Sequence, residues 1–106
     1  MEKLSIFRKE LDELDEKLMA ILARRFEICR QVALYKAEMD IPMMQPSRVA
    51  EVKHRAAQRA AAAGLSEKFG SELYSLIISE ACHMEDEIIK DAKLMRPVHV
   101  TVAPTR

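Results

Sequence analysis

An apolar stripe along the first third of the chain constrains the fold more than any other feature. Phe7, Leu11, Leu14, Leu18, Ile21, Ile28, Val32, Tyr35 and Met39 follow one another in steps of three and four, with Arg25 standing in step between Ile21 and Ile28. This is the a/d pattern of a helix that packs along its whole length. Ser5 is the expected cap and Pro42 ends the pattern, so the helix is expected over about residues 5–39. Such a helix is about 50 Å long at a rise of about 1.5 Å per residue. A compact domain of about 100 residues has a radius of gyration of only about 13 Å. A chain of 106 residues folded on itself leaves part of the stripe uncovered, and a second copy is the simplest cover. The expected architecture is an intertwined homodimeric helical bundle.

The remainder of the chain reads as helix too. The whole chain has two glycines, no tryptophan and 32% charged residues, and the strong helix formers dominate. A second, short helix is expected from Pro46 to about Ala63, stopped by Gly64. A third, of medium length, opens at Ser66, carries Phe69, Leu73, Leu76, Ile77, Ala81, Met84 and Ile88, and ends before Pro97. The reading is therefore all-α, one domain over residues 1–106, with a core over 5–95 and a tail over 96–106 that is given no function.

Composition excludes several classes of function. Seventeen Lys and Arg balance seventeen Asp and Glu, without the basic surplus of a general nucleic-acid binder. The second helix, RVAEVKHRAAQR, is mixed in charge and is read as a cover for the site rather than a nucleic-acid reader. No apolar run reaches about 18 residues, so no membrane span is expected. The charged start, MEKLSIFRKELDELDEK, lacks the apolar stretch of a signal peptide, and a cytoplasmic protein is expected. Cys29 and Cys82 fall in apolar helical settings and read as buried thiols; Cys82-His83 lacks zinc-ligand spacing, and no metal is expected. Arg59, His54 and the LDELDEK face read as solvated.

Arg25 does not fit this pattern. Its neighbours three and four residues away are Ile21, Leu22, Ile28 and Cys29, none of which pairs with a cation. A charge on an inward face needs an anion from elsewhere. Lys36 lies eleven residues on, about 20° round the helix and three turns along, so Arg25, Cys29, Val32 and Lys36 line one strip. Arg48 adds a cation near the second helix's N-terminus, where anions are favoured. Two readings of Arg25 stand at this point: a register-setting residue paired with another helix's carboxylate, or the floor of an anion pocket.

In order and spacing, these residues resemble the all-helical chorismate mutase family. The likeness lies in Arg8 seven residues before LDEKL's Asp15, the pair Arg24-Arg25, Lys36, the loop ending Pro46-Ser47-Arg48, and LIISEA from Leu76 to Ala81. It runs from about Ile6 to Ile89. The resemblance implies an intertwined dimer of three-helix chains with two equivalent active sites, a place in aromatic amino acid biosynthesis through the shikimate pathway, and no cofactor. The implied reaction is the pericyclic rearrangement of chorismate, a dicarboxylate, into prephenate: an ether C–O bond breaks as a C–C bond forms. Orientation of the substrate and stabilisation of charge on the ether oxygen drive it. By the same resemblance, Arg25 and Arg8 of the second subunit bind carboxylates, Lys36 hydrogen-bonds the ether oxygen and a carboxylate, and Arg48 fixes the ring end. Gln45, Val49, Ala81 and Glu85 complete the implied substrate site.

Three positions depart from that pattern. Glu85 stands where many members place a glutamine donor to the ether oxygen, and a carboxyl donates only when protonated. Val49 replaces a glutamate that contacts the ring hydroxyl, and Gln45 stands in place of an aspartate. The run from Ile41 to Ala50 also resembles the isochorismate-pyruvate lyase branch. Chorismate is favoured, with 4-amino-4-deoxychorismate and isochorismate open beside it. A reading of another class, a non-catalytic regulatory or scaffold dimer, is disfavoured because a scaffold has no use for unpaired inward cations.

Overall fold

A computed structural model of the protein describes residues 2–95; the tail reading of 96–106 lies outside them. Three helices follow in order: α1 over Glu2–Met39, α2 over Pro46–Ala62 and α3 over Glu67–Met95. The all-α expectation holds. Helix α1 begins three residues before the expected Ser5 cap. Glu2, Lys3 and Leu4 are good helix formers, Glu2 offsets the positive end of the helix, and Ser5 is simply an early helical residue.

The turn leaving α1 is made by Asp40 rather than by Pro42. Asp40 has φ 56°, the left-handed conformation that a short polar side chain tolerates. The Ile41 amide then donates to the Lys36 carbonyl at 2.9 Å, which closes the helix end. Helix α2 stops as its sequence indicates. Gly64 has φ 79°; its amide reaches the Ala61 carbonyl at 3.0 Å and the Leu65 amide the Ala60 carbonyl at 2.8 Å. These are the paired bonds of a Schellman ending. Ser66 caps α3, its hydroxyl accepting from the Phe69 amide at 3.1 Å.

Helix α3 is the hub, packing against both α1 and α2. The contacts are made by small residues. Ala56 and Ala60 of α2 are buried against Gly70 of α3, where a side chain would put its Cβ 2.6 Å from the Ala60 Cβ and 2.8 Å from the Ala56 carbonyl oxygen. Ala33 of α1 is fully buried, and Ile77 and Ala81 complete the apolar core among the described residues. Four of these five core residues are alanines, whose burial removes little apolar area from water.

Most of the large apolar side chains of α1 lie outside this core. Phe7, Leu11, Leu14, Leu18, Ile21, Ile28 and Val32 are all exposed, Ile21 at 65%. The radius of gyration is 19.6 Å and the molecule measures 74 × 30 × 14 Å. Both values are far from those of a compact chain of this size. An apolar face this extensive is the mark of an interaction surface.

Candidate active site

Between the C-terminal half of α1, the α1–α2 loop, the start of α2 and the second half of α3 lies a cavity of about 340 Å³. Arg25, Cys29, Val32 and Lys36 form its α1 wall; Ala81, Cys82 and Glu85 face them from α3. Gln45, Arg48 and Val49 close the third side. Seven of the eight residues expected at the site line this one cavity. Arg8 does not: it is exposed on α1, seventeen residues and about 25 Å from Arg25.

Arg25 is half-buried rather than sealed in. Its Nη1 donates a weak hydrogen bond to the Cys29 Sγ at 3.7 Å, and its Cζ lies 5.4 Å from the centroid of the Tyr74 ring. No carboxylate stands within 4.0 Å of Arg25 among the described residues, since the four ion pairs there involve Arg30, Arg48, Arg55 and Lys68. The register-setting reading, which requires such a carboxylate, therefore finds none among the described residues. A ring face and a thiol hold the guanidinium in place and leave its charge unneutralised.

Lys36 is anchored by the loop. Its Nζ donates to the Met43 carbonyl at 2.9 Å, a bond made possible by the left-handed turn at Asp40 that folds the loop back over the last turn of α1. An ammonium carries three donors, so two remain for a ligand. Arg48 sits near the start of α2, where Gln45 occupies the cap position and accepts from the Arg48 and Val49 amides at 3.0 and 3.1 Å. Its Nη1 pairs with Glu51 Oε1 at 2.5 Å on an exposed surface. The hydrogen bond from Arg48, and then the Arg55 charge, hold the Glu51 carboxyl below the usual carboxylate range.

Glu85 is the one charged residue buried among those described, at 9% exposure. Burial pushes its carboxyl above the ordinary glutamate value; Lys36 opposes that shift and the neighbouring Asp86 adds to it. Burial also raises both thiols. Cys29 and Cys82 are therefore neutral, weakly reactive pocket walls rather than nucleophiles. No group of three or more His, Cys, Asp or Glu residues is arranged to hold a metal among the described residues. No helix there is long and apolar enough to cross a membrane.

Tyr74, Ile78, Val52 and the Met43 carbonyl were not singled out by the sequence, although all but Tyr74 line the cavity and Tyr74 backs Arg25. The helical signal was available: Tyr74, Ile78, Ala81 and Glu85 follow in steps of four, three and four. A backbone carbonyl has no sequence signal at all. The cavity thus presents three cations and a carboxyl of raised proton affinity around an apolar middle. It suits a small, multiply anionic ligand that needs holding more than chemical attack.

Over residues 7–86 the chain matches the chorismate mutase type II family. It is 44% identical over 92 residues to a 4-amino-4-deoxychorismate mutase of Streptomyces venezuelae, covering 87% of this chain and 89% of that one. It is 38% identical over 102 residues to a 4-amino-4-deoxychorismate mutase of Streptomyces pristinaespiralis, covering 94% and 79%. A chorismate mutase of Methanocaldococcus jannaschii is 24% identical over 93 residues, covering 88% and 94%. With the match extending over most of the chain, and with the cation-lined cavity built from its matched residues, this protein belongs to the type II chorismate mutase family of isomerases.

Proposed function

We propose that this enzyme rearranges 4-amino-4-deoxychorismate to 4-amino-4-deoxyprephenate, in a site completed by a second copy of the chain. The observation that carries the choice of substrate is the 44% identity, over nearly the full length of both chains, to a mutase of that name. The cavity supports it from the other side. Its loop wall has Val49 and Gln45 where a carboxylate would hold a ring hydroxyl, so the feature that would select chorismate is missing. Chorismate, favoured from the sequence, becomes the second reading, supported by the more distant mutase.

The chemistry asks little of any nucleophile. The ether bond breaks as the new C–C bond forms, and negative charge grows on the ether oxygen. Arg25 grips one carboxylate from the floor, and Arg8 of the partner subunit the other. These contacts hold the enolpyruvyl arm over the ring. Lys36, steadied by the Met43 carbonyl, donates to the ether oxygen and a carboxylate. Glu85, whose carboxyl burial pushes above the ordinary glutamate value, gives the second donor to that oxygen in its protonated form. Arg48 turns from Glu51 toward the ring end, while Ala81 keeps the α3 wall low beside the ring.

The test is to supply 4-amino-4-deoxychorismate, chorismate and isochorismate separately and identify the products. The expected result is rearrangement without loss of carbon, with the amino substrate giving the highest kcat/KM. Preference for chorismate would move the enzyme to the second reading, and release of pyruvate from isochorismate to the lyase branch.

A further inference from the structure

The geometry points to Tyr74 of α3 as the positioning residue for Arg25, holding its guanidinium ready for a substrate carboxylate without supplying an anion that competes for it. The inference rests on the reading of Arg25 as the carboxylate-binding cation.

A binding arginine poses a conflicting demand. Its long side chain has to be ordered before the ligand arrives, or binding spends free energy on freezing it. The usual ordering device is a carboxylate. Arg48 shows it in this same chain, paired with Glu51 at 2.5 Å. Such a partner has to be displaced before a substrate carboxylate takes its place. Arg25 is ordered differently. The Tyr74 ring attracts the cation through its electron-rich face, with the Cζ 5.4 Å from the centroid. The Cys29 Sγ at 3.7 Å is a weak acceptor, and burial keeps it neutral. Neither contact cancels the charge.

The placement in the fold is consistent with this role. Tyr74 is half-buried and stands one helical step before Ile78, which lines the cavity. It therefore backs Arg25 from α3 while staying out of the cavity lining, which marks it as acting through Arg25 rather than on the substrate. The ring is the working part; the phenol hydroxyl has no role in it.

Removing the ring weakens a contact made equally in the ground and transition states, so the loss appears in KM rather than kcat. Steady-state kinetics on 4-amino-4-deoxychorismate are expected to show Tyr74→Leu raising KM about 3-fold to 10-fold, with kcat within about twofold of wild type. Tyr74→Phe keeps the ring and is expected to match wild type. In an Arg25→Gln background, Tyr74→Leu is expected to add no further loss. Tyr74→Met replaces the leucine variant if the latter loses helicity. An unchanged KM in Tyr74→Leu, a loss carried by kcat alone, an equal loss in Tyr74→Phe, or the same loss on top of Arg25→Gln would each overturn the assignment. Calorimetric binding of prephenate, a dicarboxylate, separates this inference from the proposed reaction. If wild type turns over none of the three substrates, the reaction is wrong. Tyr74 is then judged by whether Tyr74→Leu, and not Tyr74→Phe, weakens prephenate binding. Equal binding by all three proteins, or none by wild type, overturns it.

Discussion

Arg25 and Glu85 carry opposite problems at the residue scale. Arg25 is a charge with no carboxylate beside it among the described residues, and Glu85 is a carboxyl largely buried. The first was legible in the sequence, because all four helical neighbours of Arg25 are apolar or thiol. What holds it was not, since Tyr74 belongs to another helix. For Glu85 the position was legible and the direction of its shift was not, because that depends on burial. Burial raises its carboxyl, outweighing the opposition of Lys36 on α1 and reinforced by Asp86 on α3. A carboxyl whose folded-state pKa is raised stabilises the fold below its unfolded value. That contribution is lost as pH rises through the folded value. Catalysis follows the same sense, since only the protonated form donates. Turnover is expected to fall as pH rises through the raised Glu85 value, and Glu85→Gln to flatten the kcat–pH profile there. A sloping profile that survives the substitution would remove Glu85 from the donor role. Val49 is the other informative residue. Val49→Glu is expected to raise kcat/KM for chorismate relative to the amino substrate by about tenfold, because it restores an acceptor for the ring hydroxyl. Competition between the two substrates in one tube measures the ratio.

Element boundaries followed their sequence signals where the signal was a cap or a breaker with a fixed geometry. Gly64 ends α2 with a positive φ, and Ser66 opens α3. The start of α1 departed, at Glu2 rather than Ser5, while its end falls at Met39 as expected. Asp40 rather than Pro42 makes the turn there, and that turn places the Met43 carbonyl against Lys36. The crossing of α2 and α3 was also hidden in the sequence. Gly70 lies inside a helix, where a glycine costs about 1 kcal/mol relative to alanine; it is tolerated because the backbone of α2 passes so close. Gly70→Ala is expected to lose stability despite the better helix propensity, because its Cβ would lie 2.8 Å from the Ala56 carbonyl oxygen. Overpacking of this kind costs about 1–3 kcal/mol, and Gly70→Val is expected to cost more. Urea denaturation monitored by circular dichroism gives the values. Equal or greater stability in the alanine variant would mean that the helices separate easily at this crossing.

On the scale of the whole molecule, the periodicity of α1 and its length were enough to expect a second copy. The exposed stripe from Phe7 to Val32 agrees with that expectation. Among the described residues the single chain has an alanine-rich core and an uncovered apolar helix, the face that the proposed second copy would cover. Arg8 belongs to the same account. It stands too far along α1 to serve the cavity of its own chain, yet it is the residue implied to grip the second carboxylate. The proposed site is made from two chains. Arg8→Ala and Arg25→Ala are each expected to be nearly inactive alone. When the two variants are unfolded together and refolded, about half the dimers are mixed, and each mixed dimer has one site with both arginines intact. Recovery of about a quarter of wild-type activity is the predicted result. No recovery on mixing, or full activity of Arg8→Ala alone, would contradict a site shared between two copies.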